Sequence, residues 1–416
     1  MQKVIAAIDL KAFYAYVECV ERNLNPFTTP LAVCDPTRGK NTIILSVSPY
    51  LKSKGVPSRC RFEELPKDMK IIHAIPRMGL YLKKSAEVVK IFLEFVGEDD
   101  LHVYSIDESF LNLGPYLKYY NCTPEQLVQK IQKKIKDKLN LCATAGIGPN
   151  IFIAKTALDI EGKKKEPYCA TWTLEDIKTK FWPLKPPSKM WGISHGIENR
   201  LKKLGITSIG ELANAKKITL MDEFGIIGEE IWNHANGRDD SDIRNPYIPI
   251  NSSLTQGQML MKDYSKKEAR LIVKEVVDEL MPRLLRQNLM LNVLSITVLY
   301  SMNSKIDPFS KSLKLPAPTN DESIILQNLL SIYEANVKTN KAIRGIHVSF
   351  GGLVNKHRLP ISLIPDETEN PKNKSLSESM LKIRNKYGSD ALLRTSSLLK
   401  ESTIKTRHTL IGGHRK

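Results

Sequence analysis

The chain has little of what would staple a fold together covalently. Its 416 residues include 6 cysteines (Cys19, Cys34, Cys60, Cys122, Cys142 and Cys169), with no Cys-x-x-Cys pair and no nearby histidine. That pattern excludes a zinc framework and a disulfide scaffold, and it fits a reducing cytoplasm. Long apolar runs are missing too. Asp9 and Lys11 interrupt the N-terminal run before a signal-peptide core is complete, and no uncharged stretch elsewhere approaches a membrane span, so a soluble intracellular protein is expected. Internal repeats and low-complexity tracts are absent, which removes solenoids. Acidic residues are the remaining deficit: 45 Asp and Glu face 62 Lys and Arg, for a net charge of +17. Clustered cations gain affinity by displacing the counterions of a polyanion, so nucleic acid is the first expected partner and an anionic membrane the second.

What is present suffices for cores: 42% of residues are hydrophobic, over a length that suits about two to four domains. Through the first 165 positions, short apolar runs read as strands: Val4 to Ile8, Leu31 to Cys34, Thr42 to Val47, Met69 to Ala74 and Leu101 to Ile106. Between them, three-to-four spacing predicts helices over Phe13 to Asn23, Leu80 to Val96 and Pro124 to Leu139. Such mixing predicts an α/β or α+β domain. The basic run Lys163 to Lys165 and the proline-rich stretch Trp182 to Ser188 read as a linker. A helical, short-looped region follows to about 240, and Arg238 to Ser253 reads as a second linker. Strands at Leu291 to Tyr300 and Gly345 to Phe350, with helices at Lys266 to Arg286 and Glu322 to Glu334, then predict a small α/β module. The last segment, 355–416, is distinctly basic. Met380 to Tyr387 reads as helical there, and the rest either folds or orders only on a partner.

Two acidic sites stand out. Asp9 closes the apolar run Val4 to Ile8, and Asp107 and Glu108 are adjacent within the segment Val103 to Phe110 (VYSIDESF). A strand end holds a carboxylate rigidly at an exposed edge. Two adjacent acids in an apolar setting repel one another and lose hydration unless a cation sits between them. Three acids gathered from distant segments are what a two-metal phosphoryl-transfer site needs. The plain alternatives are a helix cap for Asp9 and a solvated hairpin turn for the pair.

Three segments in order sharpen this: Ala7 to Glu18 (AIDLKAFYAYVE), Tyr104 to Phe110 (YSIDESF) and Thr144 to Lys155 (TAGIGPNIFIAK). Together they resemble the signature segments of the Y-family translesion DNA polymerases, and the similarity extends to about residue 354. Within that family the chain most resembles the UmuC-like group of Gram-positive bacteria, whose C-terminal extension is similar to Lys382 to Gly388 through Leu410 to His414. The resemblance implies an α+β right-hand polymerase. Its palm would be 1–28 and 73–165, its small fingers 29–72 and its helical thumb with helix-hairpin-helix elements 166–240. An α/β little finger would span 241–354 and a basic C-terminal tail 355–416. The implied activity is template-directed, error-prone synthesis that adds dNTPs to a primer 3′-hydroxyl, in a DNA-damage (SOS) response at the nucleoid.

By that resemblance, Asp9, Asp107 and Glu108 bind two Mg²⁺, for which Mn²⁺ could substitute, with the backbone carbonyl of Leu10 as a further ligand. One ion acidifies the primer 3′-hydroxyl and the other neutralises the triphosphate and leaving pyrophosphate, the two standing about 3.5 to 4 Å apart. Phe13 and Tyr14 fall beside the incoming nucleotide, with Tyr14 as the steric gate against a ribose 2′-hydroxyl; the plain reading of both aromatics is core packing. The segment Ser46 to Val56 corresponds to the part of the fingers that holds the triphosphate. Aligned on Gly55, Pro49 falls at the family's usual Tyr position and Lys52 at its Arg position, with Tyr50 one residue off. Lys52 supplies a point cation there in place of a forked donor. Arg59 and Arg61 are further phosphate or template candidates, with a solvated face as the alternative. Lys163, in the Lys163 to Lys165 run, is the best match to a triphosphate lysine.

The glycine spacing of Gly192, Ile193 and Gly196, followed by Gly205, is that of a helix-hairpin-helix, and Gly225 to Gly228 with Trp232 reads as a second. Glycine lets the backbone approach a phosphate, which the next helix N-terminus then holds without reading sequence. An ordinary helical hairpin is the alternative, and His195 reads as a loop residue. The implied partners are primer-template DNA, dNTPs, the sliding clamp, and RecA or a UmuD-like subunit. In the tail, Ile361, Leu363 and Ile364 within Pro360 to Pro365 read either as a weak clamp-binding peptide or as a plain linker. Two other functional classes compete: a polymerase-like DNA-binding accessory protein without catalysis, whose relatives lose the carboxylates, and a palm-type nucleotide cyclase, which would not need the +17 charge.

Overall fold

The computed structural model describes residues 3–245, 252–358 and 371–416. Two compact units divide the chain, Met1–Tyr247 and Ile248–Arg415. In the first, the elements run β1 (Ile5–Leu10), α1 (Phe13–Val20), β2 (Leu31–Val33), β3 (Ser46–Val47), α2 (Pro49–Ser53), β4 (Ile72–Ala74), α3 (Met78–Phe92), β5 (Leu101–Val103) and β6 (Glu108–Asn112). They continue through α4 (Leu117–Tyr120), α5 (Pro124–Leu139), β7 (Ala143–Gly148), α6 (Ile151–Ala157) and β8 (Cys169–Thr171). Five helices complete the unit: α7 (Leu174–Asp176), α8 (His195–Lys203), α9 (Ile209–Asn214), α10 (Lys217–Phe224) and α11 (Ile226–Ala235).

The main sheet has the order β5-β6-β1-β7-β8, with β1 antiparallel to both its neighbours. Side chains alternate across a strand, so each strand sends one set to each face. From β1, Ala6, Ile8 and Leu10 join the core formed with α1, α3 and α5, where Val88, Ile91, Leu127 and Ile131 pack. Ile5 and Ala7 face the other way, onto Phe110, Ala154 and Leu158. Asp9 shares that second parity, as does Glu108 two residues before Phe110. On β7, Thr144, Gly146 and Gly148 share it too. The missing side chains there let α6 lie directly on the strand: a Cβ on Gly146 would come 2.2 Å from the Ala154 carbonyl oxygen, and one on Gly148 2.7 Å from the Ala154 nitrogen.

Local sequence explains the best-formed helices. For α5, Pro124 at the first turn, the reciprocal cap between Thr123 and Gln126, and left-handed Asn140 at the C-terminus bracket the buried stripe Leu127, Val128, Ile131 and Ile135. The N-terminus of α6 is capped by Asn150, which accepts from the Ile153 N–H at 2.8 Å, and by Asp239, which accepts from the Phe152 N–H at 2.9 Å. Asp239 lies in the stretch expected as a second linker. Its neighbour Arg244 makes two 2.7 Å hydrogen bonds to Asp100, so 238–245 is fixed onto the first unit, and 246–251 lie outside the described residues.

Elsewhere the expected elements shift. The expected strand Thr42 to Val47 reduces to β3, because only Ala32 and Val33 pair with it and Ile43 merely bridges Arg61. The small sheet β3-β2-β4 closes over its own core of Ala32, Cys34, Ile44, Val47 and Leu51. Between the two stretches expected as a first linker, β8 instead continues the main sheet parallel to β7, and α8 to α11 surround a third core around Trp172, Phe181, Leu201 and Leu212.

The second unit runs β9 (Leu254–Tyr264), α12 (Lys266–Arg286), β10 (Leu289–Tyr300), β11 (Phe309–Thr319), α13 (Glu322–Asn336), β12 (Ile343–Gly351) and β13 (Val354–Asn355). After the undescribed 359–370 come α14 (Pro371–Tyr387), α15 (Ile404–His408) and the hairpin β14 (Leu410–Ile411) with β15 (His414–Arg415). The sheet order is β11-β10-β12-β9, and α12 and α13 pack on one face through Ile272, Val276, Leu280, Ile325 and Leu329. The opposite face carries hydroxyl pairs across strands, Thr255 with Ser349, Ser295 with Ser312 and Thr297 with Ser310. Three arginines of the basic tail are paired within this unit. Arg384 reaches Asp278 at 2.7 Å, Arg394 reaches Asp278 at 3.1 Å and also Glu322, and Arg407 reaches Glu279 at 3.1 Å.

Candidate functional site

The site is assembled by register. Asp9, one residue from the end of β1, stands directly opposite Glu108 of β6 and Thr144 of β7. Asp107 precedes Glu108 in the turn from β5, and its carbonyl accepts the Leu10 N–H at 2.9 Å, which locks the turn to the end of β1. Ser105 organises that turn: its hydroxyl donates to the Asp107 carboxylate at 2.8 Å and accepts the N–H groups of Asp107 and Glu108. The three acids expected to act together therefore arrive from two neighbouring strand ends.

Lysines from the segment after β7 pair with these acids. Lys155 of α6, itself buried, lies 2.7 Å from Glu108, and Lys163 lies 3.1 Å from Asp9. Asp159 joins the two, at 3.2 Å from Lys155 and 2.9 Å from Lys163. The Lys163 position depends on a π turn over Leu158–Gly162, in which the Lys163 N–H bonds the Leu158 carbonyl at 3.0 Å. Lys11 anchors the same point by donating to the Lys163 carbonyl at 3.0 Å while its ammonium lies 4.2 Å over the Tyr168 ring.

Electrostatics follow from burial. Desolvation pushes the Asp9 carboxyl above its ordinary range; Lys163 opposes the shift and Asp107 adds to it. Desolvation likewise raises Glu108, against the pull of Lys155 and with a contribution from Asp9. Burial works against the charge on Lys163, but Asp9 and Asp159 outweigh it and hold the ammonium protonated. Among the described residues no three Asp, Glu, His or Cys side chains converge closely enough to hold a metal ion as they stand; Asp9 and Glu108 are engaged with Lys163 and Lys155. The donor chemistry nonetheless fits a hard divalent cation, because the acids offer oxygen ligands and the strand register brings Asp9 and Glu108 to one sheet face with Asp107 next in the chain.

The remaining expected residues fall in several places. Phe13 is fully packed in the core at the start of α1, whereas Tyr14 is half-buried, with its ring 4.8 Å from Tyr81. Burial and then the charge of Asp107 raise the Tyr14 phenol above its usual range. Lys52 of α2 is depressed by desolvation, with Asp9 opposing and Lys163 and Lys11 reinforcing the shift, so it lies within electrostatic reach of the site. Tyr50, beside it, packs on the small-sheet core and lies 5.6 Å from Lys54 in a cation–π contact. Leu10 is buried. Arg59 sits in a left-handed conformation at φ 65, and its charge bears on Tyr14.

Away from the acids, Gly192 has φ +91 with open space around it, Ile193 is buried, and Ser194 caps α8, which contains Gly196. Gly225 turns between α10 and α11 at φ +64, and Ile226 beyond it is 85% exposed. Gly228 serves packing instead, since its Cβ would come 2.0 Å from the Leu220 carbonyl oxygen. Ile361, Leu363 and Ile364 lie outside the described residues. Sequence reasoning missed Ser105, Lys155 as an acid partner, and Asp159. The available signal was Lys155 within the run Ile153 to Ala157: a lysine among buried small and apolar neighbours needs a partner for its charge.

Comparison with known proteins places this geometry. Residues 8–159 match the impB/mucB/samB family and residues 252–363 match that family's C-terminal domain. A Bacillus subtilis (strain 168) protein named for UV-damage repair, UvrX, is 34% identical over the whole chain and 98% of its own length. DNA polymerase IV 2 of the same organism is 29% identical over the whole chain and 99% of its length. No helix among the described residues is long and apolar enough to cross a membrane. A chimeric Y-family DNA polymerase matches the fold with a TM-score of 0.66 at 18% identity, over 84% of this chain and 99% of that one. With carboxylates at paired strand ends, this α+β architecture and full-length similarity to those relatives, the chain belongs to the impB/mucB/samB family of Y-family (UmuC/DinB-type) DNA polymerases.

Proposed function

We propose that the protein is a template-directed DNA polymerase of the translesion type, which adds dNTPs to a primer 3′-hydroxyl at the site formed by Asp9, Asp107 and Glu108. The observation that most supports this is the register that sets Asp9 opposite Glu108 on one sheet face, with Asp107 beside them, in a chain of this family. Asp9, Asp107, Glu108 and the Leu10 carbonyl are the ligands for two Mg²⁺, or for Mn²⁺ in their place. Bound there, divalent ions supply Lewis acidity at the attacking 3′-hydroxyl and neutralise the leaving pyrophosphate.

The chain's own residues bind and orient. Lys163 and Lys52 give the triphosphate cationic partners, with Tyr50 at the edge of the same helix as Lys52. Tyr14, a half-buried aromatic whose phenol feels the charge of Asp107, is the steric gate against a 2′-hydroxyl in this reading. The palm corresponds to the five-stranded sheet, the fingers to the small sheet and the thumb to the helices α8 to α11. In the thumb, the turns at Gly192 and Gly225, with open space where a side chain would stand, let the duplex backbone approach closely without reading sequence. In the second unit, β9 to β13 with α12 and α13 correspond to the little finger, and 355–416 to the basic tail. Primer-template DNA in the cytoplasm is the macromolecular partner; recruitment by the sliding clamp through Leu363, and control by RecA or a UmuD-like subunit in an SOS response, belong to the same reading.

Primer extension with Mg²⁺ and single dNTPs tests it. The wild type should lengthen the primer only by the nucleotide the template specifies, and Asp107→Ala should abolish addition while duplex binding survives. An accessory DNA-binding protein would bind without lengthening, and a nucleotide cyclase would consume triphosphate without a template. Near-normal extension by the Asp107→Ala variant overturns the assignment.

A further inference from the structure

Lys155, Asp159 and Lys163 lie at successive intervals of four residues, and their charges alternate into an ionic chain with the site acids: Glu108, Lys155, Asp159, Lys163, Asp9. In a regular α-helix each step of four residues overshoots a full turn by about 40°, so three residues in such a series drift off one face. The π turn over Leu158–Gly162 adds a residue to the turn and takes up that drift. Gly162 permits it: a Cβ there would come 2.2 Å from the Ala145 carbonyl oxygen, so the widened turn is pressed against β7. Among the described residues Asp159 is thus the single acid that contacts both lysines, and it lies outside the strand ends that carry Asp9, Asp107 and Glu108.

We infer that Asp159 is a positioning residue that partitions the two lysines between the site acids and the triphosphate. The inference rests on the polymerase reading above. Asp9 and Glu108 cannot give the same lone pairs to an ammonium and to a divalent ion, so each lysine–carboxylate pair competes with metal binding. Asp159 gives both lysines a second anion. With it, they yield Asp9 and Glu108 at small cost and remain held in the site, where Lys163 is free to meet a phosphate oxygen. Without it, each lysine has only its site acid, so the metal meets a stronger competitor and the triphosphate loses a fixed cation.

The test uses the full chain and two readouts. Mn²⁺ binding, followed by electron paramagnetic resonance without DNA or nucleotide, should weaken roughly tenfold in Asp159→Asn, the scale typical for partners that orient metal ligands. Steady-state extension should show a raised KM for dNTP with a smaller change in kcat. Asp159→Glu should restore both, and Lys163→Met should tighten Mn²⁺ binding and remove most of the Asp159→Asn effect on it. Unchanged Mn²⁺ affinity and KM in a folded Asp159→Asn protein overturn the inference, as does equal weakening in the Lys163→Met background. If Asp159→Asn fails to fold, the Asp159→Glu and Lys163→Met arms decide: unaltered Mn²⁺ binding in Lys163→Met overturns it. A wild type that never extends a primer, yet shows the Mn²⁺ coupling, supports the role of Asp159 and overturns only the polymerase reading.

Discussion

The carboxylate of Glu18 on α1 accepts a 2.7 Å hydrogen bond from the phenol of Tyr81 on α3. Arg77 donates to the same carboxylate at 2.8 and 3.0 Å, and Arg22 donates to it as well. Tyr81 is fully buried, and its ring lies 4.8 Å from that of Tyr14. A buried acid thus fixes the tyrosine that backs the proposed steric gate, which ties discrimination at the nucleotide to packing one layer behind it.

Tyr14→Ala should therefore raise ribonucleotide incorporation, because the ring no longer fills the space where a 2′-hydroxyl projects. Tyr81→Phe keeps the ring but loses the bond to Glu18, so it should give a smaller rise in the same direction. Single-nucleotide extension with paired dNTP and rNTP measures both. A Tyr14→Ala enzyme with wild-type sugar selectivity would return Tyr14 to the core.

Glu18 also predicts a pH dependence. Burial disfavours its ionised form, but hydrogen bonds from Arg77, Tyr81 and Arg22 outweigh that penalty and hold the carboxyl below the usual glutamate range. A depressed folded-state pKa contributes stability that is present above the unfolded pKa and is lost as pH falls through the folded value. Glu18→Ala should cost about 1.5 to 3 kcal/mol at neutral pH, the range for losing hydrogen bonds to a charged group, because the arginines left behind are part-exposed and stay hydrated. Its denaturation midpoints should also fall less steeply on acidification than those of the wild type. Parallel acid limbs in the two proteins would show that Glu18 does not carry this term.

How much of this was legible in the sequence varied with how local the cause is. The α5 and α12 boundaries coincide with expectation, because caps and periodic apolar stripes lie within the helices themselves. Asp9, Asp107 and Glu108 were legible as acids at or near strand ends, and the register of two neighbouring strands sets Asp9 opposite Glu108. The strand β6 was not anticipated, since its pattern is set by pairing with β1 and β5. The strands β9 and β11 were also missed; their alternation is broken by exposed Met259 and Met261 and by Gln256, Gln258 and Lys311, which share the parity of the core-facing residues. Asp159 was invisible for another reason: its meaning arises from a π turn, which no apolar period reports.

The close seat of α6 on β7 makes two glycine substitutions differ sharply. Gly146→Ala puts a methyl 2.2 Å from backbone atoms of Ala154 and Leu158, so α6 must lift. That should cost about 3 kcal/mol or more, at or beyond the upper end of overpacking, and should draw Lys155 away from Glu108 with loss of extension. Gly192→Ala meets open space and pays only for its left-handed backbone, about 1 to 2 kcal/mol. Thermal denaturation and primer extension on both variants check the ordering; equal losses would mean that contact with α6 does not set the site.

The tail gives the last prediction. Its composition suggested a basic arm for DNA, yet Arg384 and Asp278 are both buried where they meet, and Arg394 adds a second guanidinium to Asp278 while also contacting Glu322. Ser402 and Thr403 bond Glu275 on the same helix. Buried pairs are screened far less than exposed ones, so docking of 371–415 should persist at salt concentrations that weaken phosphate contacts. Asp278→Ala strands Arg384 without its carboxylate and should destabilise the second unit by about 3 to 5 kcal/mol. It should also expose α14 to limited proteolysis near Arg384 and Lys386, positions at which the wild type resists cutting. Rapid cutting at Arg384 in the wild-type protein would show that the tail is not held by α12, and would return its charges to the pool available for DNA.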